Sequence, residues 1–152
     1  MKLDEFDLKI LHILQQNNLT PQRTIGEAVS LSAAAVQRRI KRMEDNGVIE
    51  AHRAVINPAA VDRQITLIVH ITLESERTAL IDEIKKSFRD APEVQQCYYV
   101  TGEVDFILVV STATMSEYEE LTRRLFFNNT NIKRFNTFVI MDRVKTGLAL
   151  LL

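Results

Sequence analysis

Residues 65–73 alternate with a period of two. Ile65, Leu67, Val69, Ile71 and Leu73 share one side, and Thr66, Ile68, His70 and Thr72 share the other. That pattern predicts a strand with one dry face and one mixed face. Leu80, Ile81, Ile84 and Phe88 then recur at helical spacing, and Ala91-Pro92 ends the helix. Val94 to Val100 and Phe106 to Val110 read as two further strands around a hairpin-length loop, Thr101-Gly102-Glu103-Val104-Asp105. Ser116 and Glu119 have capping-box spacing ahead of a helix with Tyr118, Leu121 and Leu125 inward. Phe135 to Met141 closes the series as a fourth strand, followed by an apolar tail, Thr146 to Leu152.

The N-terminal part has a different rhythm. Leu3, Phe6, Ile10, Ile13 and Leu14 form one apolar helical face behind an Asp4 cap, while Leu8 and Leu11 point elsewhere. Asn17-Asn18 ends this helix, and Thr20-Pro21 reads as a capping hydroxyl followed by proline at the first helical position. Ile25, Ala28 and Val29 line a short second helix. After the tight turn Ser30-Leu31-Ser32, a third helix capped by Ser32 turns Val36, Ile40 and Met43 inward and ends at Asn46-Gly47. Val48-Ile49 and Ala54-Val55-Ile56 have the composition of short strands, a candidate wing or linker.

These patterns give an α+β fold. A winged helix-turn-helix domain over residues 1–48 is joined by a linker strand, 49–60, to a ferredoxin-like β-α-β-β-α-β domain over 61–152. Two helices cover only one face of such a sheet. Because Phe106-Ile107-Leu108-Val109-Val110 is apolar on both faces, a second copy is expected to cover the other, giving an obligate homodimer.

Composition narrows the chemistry. One cysteine, Cys97, excludes an internal disulfide, and three scattered histidines show no metal-ligand spacing. Apolar runs are too short to span a bilayer, and the acidic start, Met1 to Glu5, lacks a signal-peptide core, so no membrane partner and a cytoplasmic location are expected. Net charge is −1, so any nucleic-acid contact must rely on local cations. Arg38, Arg39, Lys41 and Arg42 supply them on the third helix with no acid between them. With small residues Ser32, Ala33 and Ala34 at the helix start, and Gln37 and Arg38 able to form bidentate bonds to base edges, this helix suits the major groove of double-stranded DNA. The bland alternative is a three-helix structural bundle with a solvated charged face.

Three stretches, Leu3 to Leu11, Leu31 to Ile49 and Val100 to Leu108, together resemble the Lrp/AsnC family of transcription regulators, essentially end to end. The resemblance implies a DNA-binding helix-turn-helix joined to an amino-acid-sensing domain, and dimers assembling further, often into octamers. It departs from the family at Ser30, where glycine is usual and a positive φ would strain serine, and at Val104, which replaces an aromatic residue in the loop.

By that resemblance, no cofactor is expected, and the effector is a free amino acid. Asp105 would pair with its ammonium group, and the backbone N–H groups of Thr101, Gly102 and Glu103 would meet its carboxylate. Tyr99 and Val100 would wall the pocket. Arg124, Thr137 and Ile140 are weaker candidates from a neighbouring subunit. With no further polar group evident, an aliphatic effector such as leucine or methionine is expected. Two rival functions are an amino-acid-binding oligomeric module without DNA function and a small ferredoxin-like enzyme. No nucleophile–base pair supports the enzyme, since Cys97 reads as a buried mid-strand hydrophobe and His70 as an interface residue.

Overall fold

A computed structural model describes residues 1–152. The chain forms two compact units: one holds Met1–Val55 with Lys145–Leu152, and the other holds Ile56–Val144. No helix is long and apolar enough to cross a membrane.

In the first unit, α1 spans Glu5–Gln16, α2 spans Gln22–Val29 and α3 spans Ala33–Asp45. A reciprocal capping box starts α1: Asp7 N–H donates to Asp4 Oδ1 at 2.9 Å, and Asp4 N–H donates to Asp7 Oδ2 at 3.1 Å. Ile10, Ile25, Val29, Val36, Ile40 and Met43 form the core. Leu11, read as outward, packs partly against this core, whereas Phe6, read as inward, is 40% exposed. Thr20 does not cap α2. Its Oγ1 donates to Asn17 O at 2.7 Å, satisfying the end of the preceding helix, and Pro21 occupies the cap position without a side-chain bond. Ser32 caps α3 as expected, accepting from Ala35 N–H at 3.2 Å. At the other end Val48 N–H reaches Met43 O and Gly47 N–H reaches Glu44 O, the paired bonds of a Schellman cap.

The turn between α2 and α3 owes its tightness to Gly26. A Cβ there would lie 2.4 Å from the Leu31 carbonyl oxygen. Ser30 takes the left-handed conformation, φ 59° and ψ 43°, so the strain anticipated for serine is present. Ser30→Gly should therefore stabilise this unit by about 1 kcal/mol, seen as a higher denaturation midpoint. A lower midpoint would mean that serine carries no such strain.

In the second unit, β1 spans Ile65–Leu73, α4 Thr78–Asp90, β2 Val94–Tyr99, β3 Phe106–Thr112, α5 Met115–Thr122 and β4 Ile132–Val139. A π-helical turn, Arg123–Phe127, follows α5. The sheet order is β2-β3-β1-β4 with all pairs antiparallel, the ferredoxin-like arrangement expected from the sequence. Leu67, Val69, Ile71, Phe106, Leu108 and Val110 face Ile81, Ile84, Phe88, Tyr118, Leu121 and Phe126 across one core. The Phe88 ring meets Phe106 and Phe126 edge-on, at centroid distances of 5.5 and 6.2 Å.

The opposite sheet face carries Ile68, His70, Ile107 and Val109, all half-buried, together with Tyr98 and Phe138, which are about half exposed. Register brings them together: Ile68 lies opposite Val109 and Phe138, and Ile107 lies opposite His70 and Tyr98. The His70 ring lies 4.9 Å from that of Phe138, tilted by 57°.

Several local expectations are corrected. The expected linker strand, 49–60, and the short strands at Val48-Ile49 and Ala54-Val55-Ile56 do not form, because no segment of the chain pairs with them, and Pro58–Val61 is a 3-10 helical turn. The cap of α5 is Thr114 rather than Ser116: Thr114 Oγ1 accepts from Glu117 N–H at 3.1 Å, and Glu117 Oε2 accepts from Ala113 N–H at 2.7 Å. Strand β4 begins at Ile132, three residues earlier than read, and ends at Val139. Within one chain the tail, Lys145–Leu152, lies in the first unit. There the Gln15 side chain donates to Leu150 O at 3.1 Å and accepts from Leu150 N–H at 2.6 Å. Cys97 is exposed rather than buried, because β2 is an outer strand with a neighbour on one side only.

Candidate functional site

Two sets of residues carry the candidate chemistry, one in each unit. On α3, Ser32, Ala33, Ala34, Gln37, Arg38 and Lys41 are exposed. Val36, Ile40 and Met43 anchor the opposite side of the helix in the core. Arg38 and Lys41 form no ion pair and remain available to an outside anion. The small side chains at the helix start let the backbone come close to a flat partner, and Gln37 and Arg38 follow on the same outer surface.

Arg39 and Arg42 are placed differently from the expectation. Both turn toward α1, where Asp7 is completely buried. Arg39 Nη1 donates to Asp7 Oδ1 at 2.8 Å and to Asp4 Oδ2 at 2.8 Å. Arg42 Nη2 donates to Asp7 Oδ2 at 2.8 Å and to Oδ1 at 3.0 Å. The Arg39 guanidinium also lies 5.4 Å from the Phe6 ring centre. The Asp4 carboxyl is held below its ordinary range, first by the Asp7 backbone N–H and then by Arg39. Two of the four α3 cations are therefore internal partners of a buried acid, a role that reading α3 alone could not reveal. The signal was present in the sequence as two aspartates at the start of α1, which also serve its cap.

In the second unit the loop from Val100 to Asp105 joins β2 to β3. Thr101, Gly102 and Glu103 are exposed, and Gly102 has φ +135°, a conformation that side chains rarely adopt. Asp105 is half-buried immediately before β3. Its Oδ2 accepts from Leu73 N–H at 2.7 Å, its N–H donates to Ile71 O at 2.8 Å and its carbonyl accepts from Val100 N–H at 2.9 Å. These bonds tie the loop to the end of β1 and leave Oδ1 without a protein partner. Tyr99 borders a groove of about 370 Å³ with Lys85, Arg89 and Cys97, and the Lys85 ammonium lies 4.8 Å from the Tyr99 ring centre. Partial desolvation in this groove pushes the Cys97 thiol up despite those two cations, so it is not primed as a nucleophile.

The remaining three candidates are not brought to the loop within one chain. Arg124 pairs at 2.7 Å with Glu93, which precedes β2 at the end of that strand opposite the loop. Thr137 shares a short hydrogen bond with the Tyr118 hydroxyl, whose pKa is raised by burial. Ile140 donates its N–H to Thr66 O at 2.9 Å, near the start of β1, whereas Asp105 contacts the end of that strand. Arg124 and Thr137 are thus already occupied by partners distant in sequence, which their own neighbourhoods gave no means of foreseeing.

Two family profiles cover most of the chain. The AsnC-type helix-turn-helix domain matches residues 3–44, and the Lrp/AsnC ligand binding domain matches residues 66–150. The chain is 47% identical over 149 residues to an uncharacterized HTH-type transcriptional regulator, y4tD, of Sinorhizobium fredii, covering 98% of this chain and 88% of that protein. It is 33% identical to the leucine-responsive regulatory protein of Haemophilus influenzae, covering 94% and 86% of the two chains. Among solved structures, an AsnC family transcriptional regulator from Agrobacterium tumefaciens is similar, with TM-score 0.90 and 28% identity over 98% of this chain and 97% of that one. A transcriptional regulator from Neisseria meningitidis, crystallised with L-Met, shares the fold with TM-score 0.90 at 24% identity, covering 99% and 97%.

Proposed function

This chain belongs to the Lrp/AsnC family of DNA-binding transcriptional regulators, and on that premise we propose that it reads duplex DNA with the outer surface of α3 under control of a small free amino acid. The observation that carries the reading is the exposed, unpaired set Gln37, Arg38 and Lys41 behind the small residues Ser32, Ala33 and Ala34. Gln37 and Arg38 contact base edges, and Lys41 neutralises phosphate.

The effector sits at the loop before β3. The Asp105 Oδ1 oxygen receives its ammonium group, and the exposed backbone at Thr101, Gly102 and Glu103 receives its carboxylate, with Tyr99 and Val100 beside them. The aliphatic amino acids leucine and methionine fit a loop that offers no other unpaired charged group except Glu103. The fold neighbour crystallised with L-Met supports the same ligand class. A second copy of the chain covers the Ile68, Ile107, Val109 and Phe138 face, so that the working unit is a dimer, and amino-acid binding shifts its further assembly toward octamers. Shielding an apolar surface of this kind from water is the driving force.

Arg38→Ala should weaken binding to the regulator's own upstream DNA by about 10–100-fold, the worth of one bidentate base contact. Binding to random-sequence duplex should change far less, as fluorescence anisotropy on both would show. An equal loss on the two DNAs would reject a base-reading role. The effector reading is tested by light scattering of the protein with a panel of free amino acids: leucine or methionine should change the assembly state, and indifference to the whole panel would overturn it.

A further inference from the structure

We propose that Asp7, assisted by Asp4, is a selectivity-determining positioning residue that holds Arg39 and Arg42 away from DNA phosphates. The proposal rests on the reading that α3 faces DNA. Asp7 is completely buried and both of its carboxylate oxygens are taken: Oδ1 accepts from Arg39 and Arg42, and Oδ2 accepts from Arg42 and from the Asp4 backbone N–H. Arg42 remains 48% exposed at its side chain, so sterics alone would let it reach a nearby phosphate. Moving there would strip the buried carboxylate of two of its three bonds from arginine, leaving only the one from Arg39, and an underpaired buried charge is strongly unfavourable. Arg39 is held more firmly, by Asp4, Asp7 and the Phe6 ring.

The consequence is electrostatic. Non-specific affinity for DNA grows with the number of phosphates neutralised, and each contact adds about 0.9 to the slope of log affinity against log salt. Four cations on α3 would favour any sequence. With two of them paired to aspartates, Arg38 and Lys41 remain, and the ratio of specific to random binding widens. Asp7 touches no DNA in this scheme and acts only through the two arginines.

Salt titration of full-length protein on random-sequence duplex tests this. Asp7→Asn removes the charge and keeps a hydrogen-bonding side chain. It should steepen the salt slope by about one unit and tighten random binding, because Arg42 is released. A residue that merely supports the fold would weaken binding instead, so a folded Asp7→Asn protein with an unchanged or shallower slope overturns the proposal. Arg42→Gln decides independently if Asp7→Asn does not fold. Its slope should match the wild type, and a slope shallower by about one would place Arg42 on phosphate and overturn the proposal. Asp4→Asn, which retains a good capping residue, should steepen the slope by less than one unit. Arg38→Ala separates the premise from the proposal. If it alters binding to neither upstream nor random DNA, the reading of α3 fails whatever Asp7 does.

Discussion

Ile107→Lys is expected to convert the protein to a monomer and to reduce its affinity for upstream DNA carrying two half-sites by about 10²–10⁴-fold, the range by which linked binding exceeds single-site binding. Ile107 sits on the uncovered sheet face, opposite His70 on β1 and Tyr98 on β2. The core is on the other side, supplied by its neighbours Phe106 and Leu108, both fully buried. A lysine at 107 can extend its ammonium into water in a monomer and leave that core untouched. In a dimer the same ammonium would be enclosed against a second apolar sheet without a partner, which opposes association strongly. Loss of the proposed dimer would separate the two α3 helices that would otherwise meet one duplex together. Light scattering at micromolar protein and anisotropy on the same samples read both effects. A variant that stays dimeric would move the interface elsewhere. A monomer with undiminished DNA affinity would show that pairing does not matter for binding.

The elements that the sequence disclosed are those whose signals are local. Strict alternation from Ile65 to Leu73 marked β1 to the residue, and the run Val36, Ile40, Met43 marked the inner side of α3. The strain at Ser30 was signalled by the family resemblance, in which glycine is usual at that place, and φ is 59°. What stayed hidden depends on residues far apart in the chain. Arg39 and Arg42 look like Arg38 and Lys41 in a charge count. Only the packing of α1 on α3 sets the first two beside Asp4 and Asp7, 32 to 35 residues away, and leaves the others exposed. Arg124 and Thr137 likewise find Glu93 and Tyr118 only after the sheet and helices assemble. Val48-Ile49 and Ala54-Val55-Ile56 have strand-like composition, yet a strand exists only where another strand accepts its hydrogen bonds, and none in this chain does. The cap of α5 at Thr114 rather than Ser116 shows the limit in miniature. Two hydroxyls stand two residues apart, and the winner is the one whose Glu117 partner also satisfies Ala113 N–H.

Asp105→Asn should lower affinity for leucine and methionine by about 10–100-fold while leaving the fold intact, whereas Asp105→Ala should do both kinds of damage. The distinction follows from the two oxygens of one carboxylate. Oδ2 accepts from Leu73 N–H at 2.7 Å and ties the loop to β1, a task that the asparagine carbonyl oxygen can also perform. Oδ1 has no protein partner, and in the proposed site it is the oxygen that meets the ammonium group. Asparagine removes the charge, and a hydrogen bond to a charged group contributes about 1.5–3 kcal/mol, which is the stated fold-change in affinity. Alanine also leaves the Leu73 N–H unsatisfied in a half-buried position, at a cost of about 1–3 kcal/mol to the unit itself. Titration calorimetry with each amino acid, together with denaturation midpoints, separates the effects. Asparagine with wild-type stability and wild-type affinity would remove Asp105 from the effector site and leave it as the tie between loop and strand. Asparagine and alanine equally destabilised would mean that Leu73 depends on the negative charge itself.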